Sequence, residues 1–267
     1  MSRIRVAVTG ALGKMGREVL AAVSKEADLE LVGGIDRVDP AQPVTLPGGG
    51  SVVVSADLAA LIEEARPQVV VDFSHATATP IFAQQALPRG VAMVVGTTGL
   101  SSADLEEMRR LSEEHGVGAI VAPNFALGAV LMMHVCRILA PFFDYAEIIE
   151  MHHEAKVDAP SGTALATATA MLESRGRPFQ YTGAKKETLA GTRGGVLEGV
   201  AIHSVRAPGL VAHQEVIFGA LGQTLTVRHD SVSRESFMPG VLLAVREVVK
   251  RKEFVYGLDK LLGIDSQ

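Results

Sequence analysis

"VAVTGALGKMGREVL" (residues 6–20) runs from a β-branched stretch into a helical pattern, with Gly10, Gly13 and Gly16 between the two. The spacing is GxxGxxG, a variant of GxGxxG in which Leu12 stands where the stricter pattern has a glycine. In such turns the glycines serve a tight bend, the approach of backbone to a pyrophosphate, and close packing of helix on strand. Glycine alone is a weak signal, because any sharp turn uses its conformational freedom. Here the triplet joins the first strand and first helix of a βαβ unit, which predicts a dinucleotide site.

Working outward, "IRVAVT" (4–9), "LELVGGI" (29–35), "VVVS" (52–55), "QVVVDFS" (68–74), "VAMVVGTT" (91–98) and "GAIVAP" (118–123) alternate with helical patterns near 14–24, 57–65, 77–88 and 101–115. Near-continuous apolar strands between helices predict a parallel sheet covered on both faces, a Rossmann-like doubly wound α/β fold. Ser101 followed by Asp104 and Glu106 reads as a capped helix start. After "APNFALG" (122–128) the grammar changes. A long apolar helix near 127–140, a strand near 145–152 and a helix from about 161 to 174 precede a stretch from Gly176 to Gly199 that reads as a mobile loop. "GVAIHSVRA" (199–207), "VAHQEVIFGA" (211–220) and "QTLTVRHDS" (223–231) then follow one another as antiparallel strands do. "SFMPGVLLAVREVVKRKE" (236–253) predicts an amphipathic helix with a basic end. The expected organisation is a dinucleotide-binding domain at 1–123, to which 234–267 returns. The rest, 124–233, is expected to be an α+β domain with a mixed, largely antiparallel sheet.

Composition narrows the function. A net charge of -5 supplies no global basic field, so nucleic acid is not the expected partner and an anionic ligand must be held by local donors. A single cysteine, Cys136, excludes an intrachain disulfide and a cysteine-rich zinc site, and reads as a buried thiol in a reducing compartment. "MSRIRVAVTG" (1–10) enters a strand pattern without a secretory signal, so a cytoplasmic location is expected. "VLMMHVCRILAPFF" (130–143), broken by His134 and Arg137, is a core helix rather than a span, which needs roughly 20 apolar residues.

The second strand should deliver an acid to the ribose about 20 residues after the glycine turn, and Asp36 stands there. Arg37 is placed to face the 2′-phosphate of NADPH, so either NADH or NADPH fits. Gly96, Thr97, Thr98, Asn124 and Phe125 sit at later strand ends, where open parallel sheets form their ligand crevice. Capping and turn formation account for the same residue types.

"EMHHEAKVDAPSGTA" (150–164) holds the second constellation. His152 and His153 are adjacent at a strand end, so their side chains point to opposite faces and one of them is available for chemistry. Lys156 brings a cation to the same place. Pro160, Ser161, Gly162 and Thr163 read as a helix start, where free N–H groups and the dipole favour a carboxylate. "HHEAK" lacks HExxH spacing and a third ligand, so no metal is expected. Taken singly, Ser161 is an N-cap and Asp158 a turn former; together the cluster combines proton transfer with anion capture.

With "VAVTGALGKMG", "DFS", "VVGTTG", "APNFALG", "HSVRAPGLVAHQEVIFG" and "HDSVSRESFMPG", this cluster resembles the dihydrodipicolinate reductase family over nearly the whole chain. The resemblance implies a two-domain NAD(P)H-dependent enzyme of lysine and diaminopimelate biosynthesis, usually a homotetramer, acting on a small cyclic dicarboxylate, and it assigns substrate binding and oligomerisation to the second domain. It implies His152 as the catalytic proton donor or acceptor, Lys156 as a second donor, His153 as a substrate contact, and Gly162 with Thr163 as the substrate-carboxylate turn. Gly10, Ala11, Leu12, Gly13, Lys14, Met15, Asp36, Arg37, Gly96, Thr97, Thr98, Ala122, Pro123, Asn124 and Phe125 match the family's cofactor-contacting segments. Two rivals remain at this level: another nicotinamide reductase sharing the first domain, and a nonenzymatic NAD(P)H sensor that would need neither His152 nor Lys156.

Overall fold

The computed structural model describes residues 3–38, 42–47 and 49–264. In chain order, β1 (Ile4–Thr9), α1 (Lys14–Lys25), β2 (Leu29–Ile35), β3 (Val44–Thr45), β4 (Ser51–Val52), β5 (Val54–Ser55), α2 (Leu58–Ala65), β6 (Val69–Asp72), α3 (Thr79–Ala86), β7 (Ala92–Val95), α4 (Ser102–His115) and β8 (Ala119–Val121) come first. They are followed by α5 (Leu127–Leu139), β9 (Tyr145–His152), α6 (Gly162–Arg175), β10 (Gly195–Leu197), β11 (Val200–Arg206), β12 (Ala212–Ala220) and β13 (Gln223–Ser231), and finally by α7 (Met238–Val248) and β14 (Phe254–Tyr256). The chain divides into two compact units, one running through Phe125 and resuming at Phe237, the other spanning Ala126–Ser236.

The first unit is built on seven parallel strands in the order β14-β8-β7-β6-β1-β2-β5. Every residue of β6 (VVVD) and β7 (AMVV) is buried, as a central parallel strand requires when helices cover both faces. α1 buries Gly16, Val19, Leu20 and Val23, a stripe at helical spacing. A Val or Leu taken fully out of water contributes roughly 1.5–3 kcal/mol, so this stripe and the strands beneath it dominate the unit's stability. α4 starts with the expected capping box, Ser101 and Asp104 each accepting from the other's backbone N–H, and ends on left-handed Gly116. α7 is tied to the α1–β2 turn by Arg246, which donates to Asp28 and Glu26.

Strand order reverses beside β1, since the chain moves outward through β2 to β5 and then returns to the other flank of β1 as β6. Such a switch point opens a crevice at the carboxyl ends of the two strands. The Gly10 turn leaves β1 there, and Phe73 and Ser74 leave β6.

The second unit lays α5 and α6 against one face of a sheet ordered β10-β11-β9-β12-β13. Cys136, Ile148, Ala164, Ala168, Met171, Val216 and Phe218 form its core, and burial pushes the Cys136 thiol up to about 12. The sheet is mixed as expected, but β11, β12 and β13 are not three successive antiparallel neighbours. β9 lies between β11 and β12, parallel to the former and antiparallel to the latter.

Other local differences have physical causes. "VVVS" splits into the ends of β4 and β5. The last helix stops at Val248, before the basic residues, and the chain re-enters the sheet as β14. The expected mobile loop contains β10 and is anchored: Phe179 is buried, Arg193 pairs with Glu147, and Gln180 N–H donates to the Asp144 carbonyl.

Candidate active site

The first unit's crevice is a cleft of about 570 Å³ lined by Gly10, Gly13, Asp36, Arg37, Phe73 and Ser74 among others. The three glycines divide the work as the spacing implies. Gly10 has φ +71°, and a Cβ there would come within 2.8 Å of the Phe73 carbonyl carbon. Gly13 is exposed and a Cβ would meet only the Gly10 oxygen, at 3.1 Å, so its backbone is the part of the turn open to a ligand. Gly16 is buried with the Gly10 carbonyl carbon 2.7 Å from its missing Cβ, the close packing of α1 on the turn.

Asp36 follows β2. Its Oδ2 accepts from Leu12 N–H at 2.9 Å and its Oδ1 from Arg37 N–H at 2.8 Å, which fixes the carboxylate at the cleft while Arg37 remains exposed. Lys14 is exposed, Leu12 and Met15 are half-buried, and Ala11 is buried in the core. Ser74 Oγ is buried at the cleft with no hydrogen-bond partner among the described residues. A glycine-only cradle, a held carboxylate and an orphaned hydroxyl fit a dinucleotide.

Sequence reasoning passed over Asp72, the residue that organises these strand ends. It is fully buried. Oδ1 accepts from Thr9 Oγ1 at 2.5 Å and Ser74 N–H at 3.1 Å; Oδ2 accepts from Thr79 Oγ1 at 2.5 Å and Thr97 Oγ1 at 3.0 Å. β1, β6, α3 and the segment after β7 are thereby pinned to one carboxyl. The available signal was an acid closing an otherwise apolar strand, "VVVD". Asp72→Asn keeps one acceptor oxygen and puts an NH2 where the other stood, so the charge is lost and the threonine hydroxyls on that side must turn to accept, at a total of about 1–3 kcal/mol. Urea unfolding should show that loss, together with weakened NADH binding; an unchanged midpoint would contradict it.

The later strand ends are only partly available to a ligand. Thr97 is buried with its hydroxyl committed to Asp72 and to Ser74 N–H, whereas Thr98 is exposed. Ala122 and Phe125 are buried, the Phe125 ring 5.8 Å from that of Phe73; Pro123 is exposed and Asn124 half-buried. Gly96 has no room for a side chain, since a Cβ would strike the Phe73 ring. Thr97, Thr98 and Pro123 line a small hollow of about 80 Å³.

In the second unit, β9 carries Ala146, Ile148, Glu150 and His152 on one face by the period of two. The strand ends at His152, and His153 lies beyond it, half-buried, its carbonyl accepting from Lys156 N–H at 3.1 Å. His152 Nδ1 is 2.6 Å from Glu150 Oε2. Arg206 on β11 donates from both terminal nitrogens to Glu150, each at 2.8 Å, and also to the Asp158 carbonyl at 2.7 Å. Neither Glu150 nor Arg206 was singled out from the sequence. An acid at a core-facing position of β9 was the readable signal, but its partner lies 56 residues away.

Burial pushes His152 below its ordinary value, Glu150 opposes this through hydrogen bond and charge, and Lys156 and Arg206 push it further down. Burial alone would raise the Glu150 carboxyl, but hydrogen bonds from Arg206, Ser204 and His152 hold it below the usual carboxylate range. Lys156 Nζ donates to Asp158 Oδ1 at 2.7 Å, which holds that carboxyl down as well. Ser161 caps α6 by accepting from Ala164 N–H at 3.1 Å, and its own N–H donates to Glu150 Oε1 at 3.2 Å. Gly162 is exposed and Thr163 half-buried at this helix start. Imidazole, ammonium and helix N-terminus thus share one neighbourhood, which can hold an anion and exchange a proton with it.

The described residues contain no group of three or more histidine, cysteine or acidic side chains placed to bind a metal, and no helix long and apolar enough to cross a membrane.

Residues 4–125 match the family model described as dihydrodipicolinate reductase, N-terminus, and residues 128–262 match dihydrodipicolinate reductase, C-terminus. Similar proteins include the 4-hydroxy-tetrahydrodipicolinate reductases of Moorella thermoacetica, 51% identical over 98% of this chain and 99% of that protein, and of Dehalococcoides mccartyi strain BAV1, 49% identical over 99% and 100%. Among solved structures, a dipicolinate-bound dihydrodipicolinate reductase from Paenisporosarcina sp. TG-14 superposes with a TM-score of 0.86 at 42% identity, covering 97% of this chain and 99% of that one. An amine dehydrogenase from Mycobacterium smegmatis shares the fold, with a TM-score of 0.68 at 16% identity over 100% and 98% of the two chains.

Proposed function

The chain belongs to the dihydrodipicolinate reductase family, and from that premise we propose which of its residues carry out the reaction. It reduces 4-hydroxy-tetrahydrodipicolinate to tetrahydrodipicolinate with NADH or NADPH, a step of lysine and diaminopimelate biosynthesis. In our reading the first unit is the dinucleotide-binding domain and the second holds the substrate. Gly10 to Met15 cradle the pyrophosphate, Asp36 and Arg37 meet the adenosine ribose, and exposed Thr98 and Pro123, with half-buried Asn124, are the later strand-end groups that meet the nicotinamide half. Loss of the C4 hydroxyl as water leaves a double bond between C4 and its neighbour, conjugated with the imine, and the chemistry the reduced nicotinamide would supply when bound is a hydride to that C4.

The second unit supplies the proton. His152 gives it to the carbon next to C4, where negative charge develops, and a pKa pulled below 6.5 by burial makes the imidazolium a stronger acid. Lys156 and His153 bind the substrate, with the Lys156 ammonium stabilising charge on a carboxylate or ring nitrogen. Ser161, Gly162 and Thr163 orient a carboxylate at the α6 N-terminus. Dipicolinate, bound to the Paenisporosarcina relative, is itself a dicarboxylate and supports this assignment. The observation that carries the reading is a half-buried imidazole beside an ammonium and a helix start. Lys156→Gln is expected to raise KM for the dicarboxylate roughly 10- to 100-fold, the worth of one charged hydrogen bond, with a smaller change in kcat. Steady-state kinetics on the freshly made condensation product of pyruvate and aspartate semialdehyde, with each coenzyme, tests the assignment. Unchanged KM would remove Lys156 from the site.

We further propose a cytoplasmic homotetramer. The sheet face away from α5 and α6 carries Ile149, Met151, Val205 and Ile217, none of them fully buried within their own unit. Glu147, His203, His213 and Glu215 alternate with them on that face, so a mixed apolar and charged surface is what would meet a second copy. Light scattering that returned a mass near the 28.1 kDa of one chain would oppose this.

A further inference from the structure

We propose that Glu150 is a positioning residue: its buried carboxylate, gripped by Arg206, holds His152 with the proton on Nδ1, and joins the proton donor to the carboxylate-binding turn. The proposal rests on His152 being the proton donor and goes one step behind it.

Its starting point is the parity of β9. Ala146 and Ile148 enter the core, and the next position on that face is a carboxylate with no exposed surface. Burying a carboxylate costs several kcal/mol unless it is paired and its oxygens are satisfied. Both oxygens are satisfied here, with Ser204 adding a further hydrogen bond. Oε1 takes Arg206 at 2.8 Å and Ser161 N–H at 3.2 Å; Oε2 takes Arg206 at 2.8 Å and His152 Nδ1 at 2.6 Å. Strand register makes this possible, because Ser204 and Arg206 of β11 lie beside Glu150 and His152 on the same face.

An ionised carboxylate only accepts, so Nδ1 must be the donor and Nε2 the nitrogen left for the substrate. Once Nε2 also carries a proton, the adjacent negative charge stabilises the imidazolium that the reaction needs. The same carboxylate accepts from Ser161 at the head of α6, while Arg206 holds the Asp158 carbonyl in the preceding loop. Proton donor and anion-binding turn are therefore set relative to each other by one ion pair. A buried pair is weak evidence for stability, since apolar residues of similar size often do as well. Its value here is orientation. The charged groups facing His152 are Glu150 on its own strand, Arg206 on β11, and Lys156 with Asp158 in the loop; Ala212, opposite on β12, adds none.

The test is the pH profile of kcat/KM for wild type, Glu150→Gln and Glu150→Asp, with the urea midpoint as a check on folding. Glu150→Gln should lower kcat about 10²-fold. It should also move the limb that falls with rising pH to lower pH, because the charge that favours protonated His152 is gone; Glu150→Asp should recover part of both. Lost activity with an unmoved limb, or near-normal turnover in Glu150→Gln, would overturn the proposal. Should the variants not fold, 15N NMR of the imidazoles in the wild-type protein decides: neutral His152 protonated on Nδ1 supports it, and on Nε2 refutes it. Failure of the underlying reading has a different signature, namely wild-type turnover in His152→Gln, whatever tautomer is seen.

Discussion

His152→Gln should lower kcat by about 10²- to 10⁴-fold, the usual contribution of a positioned acid, while leaving NADH affinity within about 2-fold of wild type. The asymmetry follows from the architecture: His152 lies in the second unit, at the end of β9, and the glycine cradle lies in the first. The wild-type profile carries a sign that can be worked out. A proton donor is active when protonated, and burial places His152 below 6.5, so kcat/KM should fall as pH rises through that lowered value. His152→Gln should flatten this limb along with the rate. Wild-type turnover in the variant, or an undisturbed limb, would return the proton to another group. A loss of NADH affinity as large as the loss of rate would mean that the substitution had damaged the fold.

Gly10→Ala carries the second large effect. Its φ of +71° is a left-handed conformation, and the new methyl would sit within 2.8 Å of the Phe73 carbonyl carbon, backbone that cannot swing aside. Left-handed backbone costs an L-residue roughly 1–2 kcal/mol and overpacking a further 1–3 kcal/mol. NADH affinity should fall about 10²-fold or more, with a lower urea midpoint. Gly13→Ala separates binding from folding. Gly13 has φ -69°, ordinary for alanine, and its Cβ would press only on the Gly10 oxygen at 3.1 Å. That variant should keep its midpoint and still bind NADH at least about 10-fold more weakly, because the methyl occupies the approach of the pyrophosphate. Fluorescence titration with NADH reads both. Normal affinity in Gly13→Ala would place the coenzyme elsewhere.

The sequence exposes what depends on neighbours in the chain. Runs such as "QVVVDFS" and "VAMVVGTT", the glycine turn and the Ser101 cap are local patterns, and each becomes the element it predicts. The pairing of β9 between β11 and β12 is different. β9 and β12 alternate alike while β11 opens on an apolar run, and nothing in a single strand says which partner it takes or in which direction. The 176–199 stretch misleads for a related reason: its anchors, Phe179 and Arg193, are single residues whose partners lie elsewhere.

The same limit governs the site. His152, Lys156 and the Ser161–Thr163 turn fall within twelve residues and announce themselves together. Glu150 stands in the same quoted stretch yet gains meaning only when Arg206 arrives from another strand. Thr97 shows the reverse, a polar residue at a strand end whose hydroxyl serves Asp72.

The first unit is interrupted in sequence: the edge partner of β8 is β14, and α7, which Arg246 ties to the α1–β2 turn, also comes after residue 236. During synthesis on the ribosome, the nascent amino-terminal sheet therefore waits with one border unzipped while the inserted unit, contiguous from Ala126 to Ser236, emerges whole. A chain truncated before β14 would leave that border of β8 unpaired and is expected to self-associate along it.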